Sequence, residues 1–272
     1  MIGRVLRYVV LGVLGLVWLL PIYLLLANSS KSSADFSDAE LWTTGNIGDF
    51  VANVVAVFTT TDVGAGFGVS AVYAIVAPVI AVVLGAFIGF AVIVLKLKHG
   101  FTWFFIVFCG TVFPIQMMVI PWFSFYAGTG LYDTVVGMIL IYSIVALPFS
   151  AFVMRNFFSG IAESVFEASV VDGANVWQIF VRIYLPMSVS ALVVVFILQA
   201  TWVWNDFLLS LILTQSSARP VMPLLNALQG NEGGGVGYTV VLTAAILVSL
   251  PTVILFMVTQ RFFRRGLALG QY

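Results

Sequence analysis

The chain has 272 residues, of which 62% are hydrophobic and 8% charged, against about 25% charged in an ordinary soluble domain. That much apolar surface excludes a soluble fold. Eleven basic and eleven acidic residues give a net charge of zero, without a basic patch interleaved with aromatics, so nucleic acid is excluded as a partner.

A bilayer crossing takes about 20 mostly apolar residues, and polar breaks divide the chain into six such stretches in one domain, residues 1–272. The first runs from about Tyr8 to Ala27 behind Arg4 and Arg7; its apolar run is longer than a secretory signal core, so a retained span is expected. A polar stretch from Asn28 to Gly68 follows, with Lys31 as its one base, and Phe50 to Phe58 reads as a short helix at the membrane surface.

Ser70 to Leu95 reads as the second span, stopped by Lys96, Lys98 and His99; Phe101 to Phe125, with Pro114 and Pro121 inside it, reads as the third. The fourth continues from the turn Ala127–Asp133 to about Val153, before Arg155. The loop 155–186 separates it from the fifth, Met187 to Leu209. A Gly-rich connector over 214–237 leads to the sixth, Tyr238 to Thr259, which ends before Arg261, Arg264 and Arg265.

Nine of the eleven bases, Arg4, Arg7, Lys96, Lys98, Arg155, Arg182, Arg261, Arg264 and Arg265, fall on one side of this arrangement. The base-rich side faces the cytoplasm, which places both termini inside, as an even number of spans requires. The fold expected is therefore all-α: a polytopic membrane protein of six transmembrane helices, N-in and C-in.

The loop 155–186 reads as two short helices with a forced bend. Ser164 and Glu167 have the spacing of a capping box, Gly173 is placed to end the first helix, and Asn175 with Gln178 starts the second. Trp177, Phe180 and Tyr184 then share one apolar face. From the residues alone, a loop lying on the membrane surface and a loop docking against a partner are equally good readings.

Several chemistries are absent. The lysines follow Ser30, Leu95 and Leu97 rather than the glycine of a P-loop, so ATP is not bound here. One histidine and one cysteine, His99 and Cys109, make no zinc set, and no metal is expected. The spans hold almost no ionisable residues, unlike proton-driven carriers, and no catalytic constellation appears. Within the spans, Gln116, Gln199, Trp202 and Asn205 are the candidates for a translocation path: aromatic faces and neutral hydrogen-bonding groups suit a sugar. Interfacial anchoring and helix–helix bonding account for the same residue types, and for Trp202, Trp204 and Asp206 the interfacial role is the better reading.

Glu167-Ala168-Ser169, Gly173 and Ile183-Tyr184-Leu185-Pro186 resemble the EAA loop of permease subunits of ATP-binding-cassette importers, with Ser169 where that family usually has alanine. Pro148-Phe149, Arg155 to Phe158, Trp204-Asn205-Asp206-Phe207 and the tail Arg265-Gly266-Leu267 with Gly270 are similar to the carbohydrate branch, specifically the second permease subunit of maltose-type sugar importers. The departures are Ala162, where proline is usual, and the ending Gln271-Tyr272.

The resemblance implies a type I importer permease fold in a bacterial or archaeal cytoplasmic membrane. It implies a non-enzymatic subunit coupled through Glu167, Ala168, Ser169, Asp172, Gly173, Ile183, Leu185 and Pro186 to a separate ATPase that holds ATP and Mg. The further partners implied are a second homologous permease, two ATPase subunits in all, and an extracytoplasmic solute-binding protein reached by Gln229, Gly230, Asn231 and Gly233. Import of a peptide or another non-sugar solute, and a channel or scaffold without ATP coupling, are the alternatives.

Overall fold

A computed structural model describes residues 2–36, 40–230 and 236–268, with side chains for 4–36, 40–230 and 236–260. All regular structure among them is helical. The chain is a polytopic membrane protein: four helices are long and apolar enough to cross a bilayer, and a fifth crossing is available if one bent helix pair counts as one span. Its described residues divide into two compact units, 1–67 with 221–251, and 68–220 with 252–272.

The first unit contains α1 (Ile2–Ser29), α2 (Ile47–Thr60), the start of α3 (Val63–Ile93), α12 (Val221–Ala227) and the first part of α13 (Tyr238–Ala268). The lateral surface of α1 is uncovered from Val5 to Leu26, whereas its C-terminal end is tied down by amides. Asn53 on α2 donates to the Ser29 and Lys31 carbonyls, both at 2.9 Å, and Asn28 donates to the carbonyls of Leu24 and Leu41. Lys31 is 4% exposed and donates through Nζ to Asn28 Oδ1 at 2.9 Å and to the Glu40 carbonyl at 2.6 Å. Those acceptors offset the cost of withdrawing an ammonium from water. Asn46 caps α2 by accepting from the Asp49 N–H. Two expectations change here: α3 begins seven residues before Ser70, and the Gly-rich connector contains a helix, α12.

The second unit holds the rest of α3, α4 (Gly100–Cys109), α5 (Ile115–Thr129), α6 (Val135–Ser159), α7 (Glu163–Val171), α8 (Val176–Ile179), a π-helical turn (Phe180–Tyr184), α9 (Leu185–Met187), α10 (Val189–Trp204) and α11 (Leu208–Leu213). Small residues recur every fourth position on α3 at Ala77, Ala81, Gly85 and Gly89, one stripe of a helix surface. Ala77 and Ala81 are fully buried. A methyl group on Gly85 would lie 2.7 Å from the Ser150 carbonyl carbon, and one on Gly89 would lie 2.8 Å from the Arg155 amide. The backbones of α3 and α6 thus touch along this stripe, the packing mode available where lipid supplies no hydrophobic drive.

The expected third span is not one helix. The run over 101–125 divides into α4 and α5 around a break at 110–114, where Pro114 has extended backbone (ψ 124°) and starts α5. Proline disfavours helical geometry in the residue before it, so the helix ends ahead of Pro114 although the side chains stay apolar throughout. Pro121, by contrast, lies inside α5. The expected fifth span is also shorter and bent: α10 covers 189–204 and meets the segment Val176–Met187 at 74° across Ser188. Arg155 lies within α6 rather than beyond its end, its guanidinium 5.1 Å from the Phe104 ring centroid on α4.

Asp133 locks the turn before α6. It holds a left-handed backbone (φ 54°), donates its N–H to the Leu213 carbonyl at 3.0 Å, and accepts through Oδ1 from the Gln215 N–H at 2.8 Å and through Oδ2 from the Ser216 hydroxyl at 2.5 Å. Partial burial pushes its carboxyl pKa up, but these hydrogen bonds outweigh burial and hold it below the ordinary value.

Candidate functional site

Two parts of the second unit carry functional geometry: the bent helix pair of the 155–186 loop, and a cleft beside the break in the third apolar run.

In the loop, α7 begins at Glu163 behind Ala162, whose ψ of 136° and lack of a side-chain bond make it the N-cap. Ser164 is therefore already inside the helix, and the expected Ser164–Glu167 capping box does not form. The helix instead ends as a Schellman motif. Ala174 N–H donates to the Ser169 carbonyl at 3.1 Å, Gly173 N–H donates to Val170 at 3.0 Å, and Gly173 takes φ +81°. Asn175 and Gln178 form the reciprocal box expected of them, at 3.0 and 2.9 Å.

The rest of the loop fixes this corner to the unit's core. Ile179, Phe180 and Tyr184 are buried with Phe90 of α3 and with Met154 and Phe158 of α6; Val165, Phe166, Ile183 and Leu185 pack around them. Phe180 stacks on Phe87 at 4.6 Å, and Tyr184 stands edge-on to Phe90 at 5.1 Å. The apolar face expected for Trp177, Phe180 and Tyr184 is real, although Trp177 remains 62% exposed. An ion pair between Lys96 and Glu163 joins α7 to the turn after α3.

What this frame leaves outward is a ridge of Glu167, Ala168, Val171, Asp172 and Gly173, with Val171 86% exposed. Ser169 faces inward, its hydroxyl donating to the Val165 carbonyl at 2.6 Å. Ile183 and Leu185 serve the inner packing, while Pro186 is exposed. Among the described residues, neither the Glu167 nor the Asp172 carboxylate makes a hydrogen bond or ion pair. Asp172 caps the C-terminal end of α7, where the helix dipole disfavours a negative charge.

The cleft has a volume of about 340 Å³ and is lined by Gly110, Thr111, Phe113 and Ile115 from the break, Val145 and Phe149 from α6, and Leu198, Gln199 and Trp202 from α10. An adjoining hollow of about 300 Å³ shares Gly110, Phe113, Ile115 and Val145 with it. Irregular backbone at membrane depth persists only where protein or a water-lined cavity satisfies it. The structure thus brings Gln199 and Trp202 together. Gln116 is exposed on the first turn of α5, and Asn205 is exposed with its amide donating to the Thr201 carbonyl at 2.8 Å; neither lines the cleft. Trp202 meets Tyr142 edge-on at 5.9 Å, and the Tyr142 hydroxyl donates to Asp206 at 2.9 Å. Gln229 and Gly230 line a separate hollow in the first unit, beside Tyr238; Asn231 and Gly233 lie outside the described residues.

Missed by the sequence reading were the Asp133 lock and the small-residue stripe, which the four-residue recurrence of Ala77, Ala81, Gly85 and Gly89 would have disclosed. Pro114 and Pro121 mark the third run as broken in its backbone, and of the two Pro114 stands at the break.

The family described as the inner membrane component of binding-protein-dependent transport systems matches residues 81–268, and the chain belongs to it. It is 29% identical to the osmoprotective compounds uptake permease protein GgtD of Synechocystis sp. across 93% of this chain and 87% of that protein. It is 26% identical to the diacetylchitobiose uptake system permease protein NgcG of Streptomyces coelicolor, across 86% and 72%. Its fold matches a chain of a bacterial ABC transporter involved in the import of the acidic polysaccharide alginate, with a TM-score of 0.82 over 96% of each chain at 23% identity. The chain is accordingly a multi-pass inner-membrane permease subunit of an ATP-binding-cassette importer.

Proposed function

We propose that this chain forms half of the translocation path of a sugar importer and couples it to ATP hydrolysis in a separate subunit. The observation that carries the coupling is the outward ridge Glu167–Gly173, fixed by the Schellman motif and a buried aromatic cluster yet holding unpaired carboxylates and a bare Val171. In this reading the chain crosses the membrane six times, α4 with α5 making the third crossing and the bent 176–204 segment the fifth. Both termini and the ridge lie in the cytoplasm.

The partners are a second homologous permease, two ATPase subunits holding ATP and Mg, and an external solute-binding protein that meets the outer connector around Gln229, Gly230, Asn231 and Gly233. Closure of the ATPase pair around ATP moves the ridge, and the braced block behind it turns as a rigid body. The sugar assignment rests on the relative named for diacetylchitobiose, and on the aromatic and neutral polar lining of the cleft.

Proteoliposomes carrying the assembled transporter and its binding protein are expected to accumulate at least one of a panel of radiolabelled mono- and disaccharides only when ATP is supplied. Accumulation of peptides but no saccharide overturns the sugar assignment; saccharide uptake without ATP overturns the coupling.

A further inference from the structure

We infer that the break at 110–114 is a substrate subsite contributed by this chain, facing water near the middle of the membrane and built for a neutral polyhydroxyl solute. The inference rests on the sugar-permease reading and adds to it a location, a set of groups and a charge preference.

The position follows from length. The basic turn before α4 ends at His99, and α4 has ten residues; at 1.5 Å per residue it climbs about 15 Å, half of a hydrocarbon core about 30 Å thick. The helix then stops, and the backbone is left without internal partners. Among the described residues, nothing donates to the carbonyls of Gly110, Thr111, Val112 or Phe113, and the N–H groups of Phe113, Ile115 and Gln116 find no acceptor. The N-cap of α5 is Pro114, which supplies no side-chain bond. Such groups persist at membrane depth only against protein or water, and the cleft that Gly110, Thr111, Phe113 and Ile115 line is where water, or a solute that replaces it, reaches them.

A second, independent observation points to the same place. Gln199 is 7% exposed and lines the cleft opposite the break, yet its carboxamide has no hydrogen-bond partner among the described residues. Among the described residues the polar side-chain atoms sealed from solvent without a partner are Arg155 Nε and Arg219 Nε, so the unbonded Gln199 amide opens onto the cleft, where water or a solute serves it. Trp202, one residue short of a helical turn further on, gives the same wall an aromatic surface, and Phe149 gives another. Carbonyl acceptors, a few N–H donors, one free carboxamide and two aromatic rings match the mixed donor–acceptor rim and apolar faces of a sugar ring.

The charge preference comes from the same list of groups. No charged side chain lines the cleft. A hydroxyl can donate to its free carbonyls or accept from its free N–H groups, whereas a carboxylate would leave water without a counter-ion. The subsite therefore takes neutral sugars or polyols in preference to uronates.

The test uses the assembled transporter in proteoliposomes. Thr111→Cys in a Cys109→Ser background is expected to react with a membrane-impermeant cationic thiosulfonate. Whichever of maltose, trehalose or diacetylchitobiose is taken up is expected to protect it; digalacturonate is not. Gln199→Leu, which keeps the volume but removes the amide, is expected to raise the saccharide concentration for half-maximal uptake about tenfold while the ATPase subunits stay bound. A position 111 thiol that stays unlabelled, or that a transported saccharide does not protect, overturns the subsite, as does unchanged uptake by Gln199→Leu. These results leave sugar import standing. If wild-type transporter carries no saccharide at all, the sugar reading itself fails and the subsite with it.

Discussion

Gly173→Pro is expected to release the ATPase subunits from the purified complex and to cut ATP-driven uptake at least tenfold, and Glu167→Arg is expected to do much the same. Proline locks φ near −65°, about 145° from the φ of +81° that Gly173 adopts, and it removes the N–H that bonds Val170. Both halves of the Schellman motif are then lost, and the ridge no longer meets the second helix at a fixed angle. Glu167→Arg leaves the backbone alone and reverses one of two unpaired carboxylates on the ridge. Glu163→Gln is the control. It breaks an ion pair with Lys96 whose side chains are 59% and 68% exposed, a solvent-screened interaction that contributes little, so uptake and co-purification change little. Pull-down of the ATPase with each purified variant reads the difference.

Leucine at Gly85 or Gly89 is expected to abolish accumulation of the folded permease. The alanine variants should already lower its thermal stability in detergent. At both positions the obstacle is backbone, 2.7–2.8 Å from where the first side-chain carbon would sit, and backbone cannot rotate aside as a side chain does. Overpacking of this kind costs about 1–3 kcal/mol for small additions and more for large ones. Here α3 and α6 must also part along the stripe that supports Phe90, Met154 and Phe158, and hence the coupling corner. Gly128→Ala on α5 has open space around it and relieves the helix penalty of glycine, so its stability should hold or rise. Fluorescence-detected size-exclusion chromatography after graded heating compares the three sites.

Features that reside in a few consecutive residues were legible in the sequence. Gly173 announced a left-handed turn because glycine alone takes that geometry freely, and Asn175 with Gln178 carried their reciprocal bonds in their spacing. The Ser164 capping box failed for a local reason too: Ala162 adopts extended backbone without any polar side chain to mark it, and the helix starts ahead of the serine. Elsewhere the determining contact was remote. Asp133 is an ordinary turn residue until the chain brings Gln215 and Ser216 to it, 82 and 83 positions away. Lys31 reads in the sequence as the one base of a polar stretch, yet it is buried among carbonyl and amide oxygens. The third apolar run is continuous in hydropathy, which records side chains; Pro114 and Pro121 signal a broken backbone, and the structure puts the break at the first of them.

The candidate path residues divided for the same reason. Gln199 and Trp202 are three apart on α10 and share a face, so one cleft collects both. Gln116 lies just past the proline that starts α5, and Asn205 ends α10, where its amide bonds back to Thr201. Residue type nominated all four, and helix geometry separated them.

The most direct test of the account places a cysteine at Val171, in a Cys109→Ser background, and asks what it touches in the assembled transporter. Val171 is the barest apolar position of the ridge and lies between the two unpaired carboxylates. A short bifunctional thiol reagent is expected to join it to the ATPase subunit, with a yield that changes when ATP is bound. A transporter that still couples ATP hydrolysis to uptake, but whose Val171→Cys thiol is modified only by lipid-borne reagents and never joined to the ATPase, would contradict the account.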